Sequence, residues 1–70
     1  MVISINRKRL IEERLKQGYS IAELSRLTGV APVTISGAEN GRRTPRPAPM
    51  RKLAEALKLD ISDVYTISEG

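Results

Sequence analysis

The chain has 70 residues, with twelve Lys or Arg against eight Asp or Glu, and no Cys, His, Trp or Phe. That length holds one small domain, residues 1–70 with a core over about residues 5–67, and it buries only about 60% of the surface of its unfolded chain. Without Cys or His, zinc, iron–sulfur, haem and thiol chemistry are excluded, no metal or cofactor is expected, and stability has to come from helix packing or self-association.

The absence of Cys fits a cytoplasmic protein. The basic run Arg7-Lys8-Arg9 is followed by no apolar stretch, so no signal peptide is expected. Nor does any apolar run approach the roughly 18 residues that mark a membrane span. Charge is unevenly placed. Residues 1–17 carry five basic and two acidic side chains, and residues 18–39 sum to −1. Residues 40–54 hold Arg42, Arg43, Arg46, Arg51 and Lys52 with no acid, and residues 55–70 sum to −3. A basic block beside an acidic tail fits a polyanion on one face; a solvated basic loop is the alternative.

In chain order, the first helix is expected over residues 6–17, with Leu10, Ile11 and Leu15 at helical spacing, Asn6 as its cap and Gly18 as its stop. Ser20-Ile21-Ala22-Glu23 is a capping box opening a second helix, whose stripe is Ile21, Leu24 and Leu27 and which ends near Thr28. Pro32 suits the first position of a third helix, with Val33, Ile35 and Ala38 apolar and Gly41 closing it. Arg42–Pro49, with three prolines, is expected to be an extended linker. A fourth helix is expected over about Met50–Lys58, and Asp60-Ile61-Ser62-Asp63 caps a fifth leading into Val64 and Tyr65. No repeat and no strand alternation is evident. Leu10, Leu15, Leu24, Leu27, Ile35, Leu53 and Leu57 are the expected core, with Tyr19 at its edge. Tyr65, Val64 and Ile67 are expected to form a small exposed patch.

The second and third helices are joined by Thr28-Gly29-Val30-Ala31, a tight turn with glycine where a left-handed residue is needed. Ser25 is the small residue that lets the helices approach, and Ile35 and Ala38 are the apolar residues required on the far side. Many helical hairpins share this pattern.

Four pieces carry a more specific likeness. They are Arg14 with Lys16-Gln17-Gly18-Tyr19-Ser20, Leu24–Val30 through the turn, Thr34-Ile35-Ser36, and Glu39-Asn40-Gly41-Arg42. Leu53–Leu57 and Asp60–Tyr65 follow in order. On these residues the chain resembles the lambda Cro and C1 repressor (XRE-like) type of helix-turn-helix domain. The resemblance implies an all-α, five-helix lambda-repressor-like bundle that binds double-stranded DNA, often as a homodimer.

In such a domain the third helix lies in the major groove. The resemblance then makes Pro32, Val33, Thr34, Ser36 and Gly37 the outward, base-reading positions. The family often has Gln, Arg, Lys or Asn at some of them, and this chain has none there. Pro32 and Val33 suit thymine methyl groups, and Thr34 and Ser36 can donate or accept without being diagnostic of a base. Ser20, Asn40, Arg42 and Arg43 are the implied backbone contacts. The family's frequent Gln after Ser20 is replaced by Ile21. Arg46, in the proline-rich loop, is the minor-groove candidate, since narrow A·T-rich grooves attract arginine. Arg14 and Glu39 occupy positions that the family joins in a structural ion pair.

An enzyme is not expected, because the chain has no His or Cys, no convergent carboxylates and no phosphate loop. Two Tyr provide no stacking platform for single strands. Prolines and turn glycines interrupt the continuous apolar face that a membrane-surface helix needs. No small-molecule ligand is expected, and with few residues after the last helix no ligand-sensing domain is expected either. Regulation would then come from concentration, proteolysis or a protein regulator. The competing reading is a protein-interaction module on the same fold, of the antitoxin or anti-repressor type.

Overall fold

The computed structural model describes residues 2–68. In order these form β1 (Val2–Ile5), α1 (Arg7–Lys16), α2 (Ile21–Thr28), α3 (Pro32–Asn40), α4 (Pro47–Ala56), α5 (Ile61–Val64) and β2 (Tyr65–Ser68). The architecture is a five-helix lambda-repressor-like bundle with a small two-stranded antiparallel sheet added.

Local chemistry explains most boundaries. The Arg9 amide donates to Asn6 Oδ1 at 3.1 Å, which starts α1. Both halves of the Ser20–Glu23 capping box are present at α2. Gly29 and Gly41 end α2 and α3 in left-handed conformations, with φ of 77° and 80°. At the start of α5 the Asp60 amide donates to Asp63 Oδ2 at 3.0 Å, and the Asp63 amide to the Asp60 carbonyl at 2.9 Å.

The fourth helix starts earlier than the sequence suggests. Pro47 and Pro49 belong to its first turn rather than to an extended linker. Those positions have no intrahelical acceptor for an N–H, so proline removes nothing there. The first helical bond runs from the Met50 amide to the Arg46 carbonyl. The connection after α3 is therefore short, and Pro45 within it is buried.

Strands β1 and β2 were not expected. Val2 pairs with Ser68, Ile3 with Ile67, Ser4 with Thr66 and Ile5 with Tyr65. Ile3 and Ile5 pack against the core, and the Asn6 amide donates to the Val64 carbonyl at 2.9 Å.

The core contains Leu10, Leu24, Val30, Ile35, Ala38, Met50, Leu53, Ala54, Leu57, Val64 and Tyr65. Leu15 and Leu27 do not join it, being 62% and 57% exposed. At about 100° per residue, Leu15 lies about 140° around α1 from the buried Leu10. Leu27 flanks Leu24 at the edge of α2 and lines a depression with Lys52, Glu55 and Ala56. Tyr19 packs at the core edge. Val64 and Tyr65 are buried rather than part of an exposed patch; of that trio only Ile67 is exposed. Among the described residues, no helix is long and apolar enough to cross a membrane.

Candidate nucleic-acid interface

The turn between α2 and α3 is fixed by short-range bonds. The Gly29 amide donates to the Ser25 carbonyl at 2.8 Å. Thr28 Oγ1 donates to the Leu24 carbonyl at 2.7 Å and accepts from the Val30 amide at 3.2 Å. Val30 is buried, so the turn is anchored in the core it crosses. Ala31 then caps α3 without a side-chain bond, and Pro32 follows at its first position.

Ile35 and Ala38 point α3 into the core, which leaves Pro32 and Val33 exposed and Thr34 and Ser36 half-buried. Gly37 departs from expectation. It is buried, because the side chain of Arg43 lies over it. The outward face of α3 therefore consists of Pro32, Val33, Ser36 and Asn40, with Thr34 at its margin.

An ion pair locks α3 to α1. Arg14 donates from Nε to Glu39 Oε2 at 2.7 Å and from Nη2 to Oε1 at 2.9 Å, a two-pronged contact. Arg14 Nη1 also donates to the Tyr19 carbonyl at 3.0 Å. The two side chains are only 12% and 8% exposed. The bond to Glu39 raises the pKa of Arg14 above its ordinary value, against the opposing effect of burial. The pair joins the two positions that the resemblance pointed to.

Ser20 has its hydroxyl engaged as a cap, accepting from the Glu23 amide at 3.0 Å. The Ser20 amide in turn donates to Glu23 Oε1 at 3.1 Å. These bonds to Ser20, the backbone one foremost, hold the Glu23 carboxyl below its ordinary pKa. Ile21, where a Gln is common, packs against the core instead.

Two cations, Arg7 and Arg43, gather at the C-terminal half of α3. Asn40 Oδ1 accepts from the Arg42 amide at 3.0 Å, which shapes the start of the loop. Arg43 lies across Gly37. Arg7, which sequence reasoning did not single out, brings its guanidinium to Gly41: a Cβ built there would lie 2.7 Å from Arg7 Nη1. Arg7, Asn40, Gly41, Arg43 and Thr44 line one depression. Arg46 stands apart, exposed at the start of α4. Among the described residues, none of Arg7, Arg42, Arg43 and Arg46 has a carboxylate in ion-pair reach.

The loop is tied from below. Tyr65 Oη donates to the Pro45 carbonyl at 3.1 Å in a buried bond. A buried tyrosine needs a partner for its hydroxyl, but nothing in the sequence shows that Tyr65 is buried.

A family model described as helix-turn-helix matches residues 10–64. The chain belongs to the helix-turn-helix family of the Cro and C1 type. An uncharacterized HTH-type transcriptional regulator of Bacillus subtilis (strain 168), RghRB, is 40% identical over 53 residues. That match covers 74% of this chain but only 38% of RghRB. Among solved structures, the N-terminal DNA-binding domain of SinR from Bacillus subtilis superposes with a TM-score of 0.75 at 26% identity, covering 80% of this chain and 83% of that one. SinR in complex with DNA gives 0.74 at 26% identity, covering 80% and 90%. The restriction-modification controller protein C.AhdI from Aeromonas hydrophila gives 0.75 at 32%, covering 81% and 86%.

Proposed function

We propose that this chain is a non-enzymatic, cytoplasmic transcriptional regulator that binds double-stranded DNA, acting as a repressor from a palindromic site occupied by a homodimer. The observation that carries this reading is the cluster of arginines around the exposed side of α3 that, among the described residues, have no carboxylate partner. In this reading α3 enters the major groove, with Pro32, Val33, Thr34 and Ser36 toward base edges. Ser20, Asn40 and Arg42 contact the sugar–phosphate backbone, and Arg7 and Arg43 add charge beside them. Arg46 approaches the flanking minor groove. Family membership and the likeness to a DNA-bound structure support the reading.

In vitro selection from random duplex DNA at near-physiological salt tests it. A palindromic motif with half-sites about one helical turn apart is the expected result. Affinity should fall with salt at about −0.9 in log–log slope per phosphate contact. The rival reading, a module that works through a protein partner, is favoured by the apolar Val33, 56% exposed on α3. It predicts almost no affinity for duplex even at low salt.

A further inference from the structure

One position on the exposed flank of α3 has no side chain of its own, and the chain covers it from elsewhere. An ideal Cβ on Gly37 would lie 2.7 Å from both Cδ and Cγ of Arg43 and 2.9 Å from its Cβ. Real Cβ atoms essentially never come so near. Gly37 has an ordinary helical φ, unlike Gly18, Gly29 and Gly41, so it is needed for space and not for backbone freedom. Glycine within a helix weakens it, and here the return is close approach of the loop. The backbone docks too: the Arg43 amide donates to the Gly37 carbonyl at 3.1 Å, engaging one of the last carbonyls of α3.

We propose that Arg43 is a base-contacting side chain of the recognition surface, and that Gly37 is the positioning residue that seats it. This deepens, and rests on, the reading of α3 as a major-groove helix. The side chains α3 itself supplies near its start are the exposed Pro32 and Val33 and the half-buried Thr34 and Ser36, none with an amide or a guanidinium. Reading guanine through O6 and N7 takes two parallel donors, which a guanidinium has. Arg43 lays its stem from Cβ to Cδ against α3 at the level of residue 37, one turn beyond Val33, and carries that group at its end. A seated stem loses less rotamer freedom on binding. Arg43 has no carboxylate partner among the described residues, so its donors are available. The role of Arg42 stays with phosphate.

Two measurements on the full chain test the proposal. The first needs no DNA. Amide exchange followed by NMR should show the Arg43 amide protected, with protection lost in Gly37→Ala. An unprotected Arg43 amide, or a Gly37→Ala spectrum unchanged in the loop, overturns the seat. The second compares selection profiles at one salt concentration. Arg43→Ala should lose about ten-fold of the preference for one G·C pair in the motif. Gly37→Ala should lose the same preference, and the double variant should lose no more. Arg43→Lys should keep the salt slope and lose the preference, which covers the case where Gly37→Ala fails to fold. Arg42→Ala should weaken all sequences alike. If Arg43→Ala weakens all sequences as Arg42→Ala does, Arg43 is a phosphate contact and the proposal is wrong. If the wild-type chain binds no duplex while its Arg43 amide is protected, the DNA-binding reading has failed and the base-contact role falls with it.

Discussion

Helix α1 and the loop after α3 are both basic, but they keep their charge in different ways. On α1, Lys8 lies 4.0 Å from Glu12, Arg9 lies 3.7 Å from Glu13, and Lys16 lies 3.9 Å from Glu13. Arg14 is held by Glu39 at 2.7 Å. A helix places residues three and four apart side by side, so Lys8, Arg9 and Lys16 pair within the element. In the loop, Arg42, Arg43 and Arg46 lie in a stretch, residues 40–54, with no acid, and have no carboxylate in reach among the described residues. A tether at Pro45 and a seat at Gly37 order the loop without neutralising it. The difference shows that net charge per segment says little about what a segment can bind. What matters is whether each cation has an internal partner.

Substitutions can break that contrast from either side. Glu39→Ala removes the one well-buried pairing and strands Arg14. It should cost about 3 kcal/mol, enough to lower the melting midpoint of so small a domain by about 15 °C, as read by circular dichroism. An unchanged midpoint would mean that the pair does not hold α1 to α3. Arg42→Ala should do the reverse. Stability should stay within about 0.5 kcal/mol of wild type. Duplex affinity should drop several-fold, and the salt slope should shrink by about 0.9 if one phosphate contact is lost.

Tyr65→Phe tests the tether. Loss of its bond to Pro45 should cost about 1 kcal/mol and speed amide exchange over residues 42–46. Exchange there as slow as in the wild type would show that the tether is idle. Acid titration addresses the Ser20–Glu23 box. Bonding to Ser20 depresses the Glu23 pKa in the folded chain, so this contribution is present above the unfolded-state pKa. It is lost as pH falls through the lower, folded value. Ser20→Ala should flatten that acid-side loss in a stability–pH curve, and an identical curve would remove the box from the account. The smallest effect is expected from Lys8→Ala, within about 0.5 kcal/mol and with no change in the salt slope.

The features legible in the sequence were those set by near neighbours. Asn6, Ser20 with Glu23, Gly29, Pro32, Gly41 and Asp60 each specify a helix end through contacts a few residues away, and each end lies where those residues put it. The Arg14–Glu39 pair spans 25 residues and came from family resemblance, not from any local pattern. What escaped was non-local or depended on orientation. Val2–Ile5 and Tyr65–Ser68 are too short to show alternation, and each becomes a strand only against the other. Leu15 and Leu27 fit a helical stripe but sit off its buried centre. Gly37 sits on the exposed flank of α3 by helical spacing, yet is covered by a loop residue that no spacing rule brings back. Arg7 belongs by sequence to the cations of α1, but its guanidinium lies at the far end of α3.

The pairing of Val2 with Ser68 and Ile5 with Tyr65 also has a bearing on the order of folding. Helices with their caps form from contacts a few residues apart, whereas this sheet forms only after nearly the whole chain has been closed into a loop. Loop-closure entropy and high sequence separation put such a contact late. Tyr65 belongs to that sheet and also holds Pro45, so the loop with its arginines is drawn into its final shape only when the two strands meet. A chain caught before that step would have its helices in place but its cationic loop still untethered.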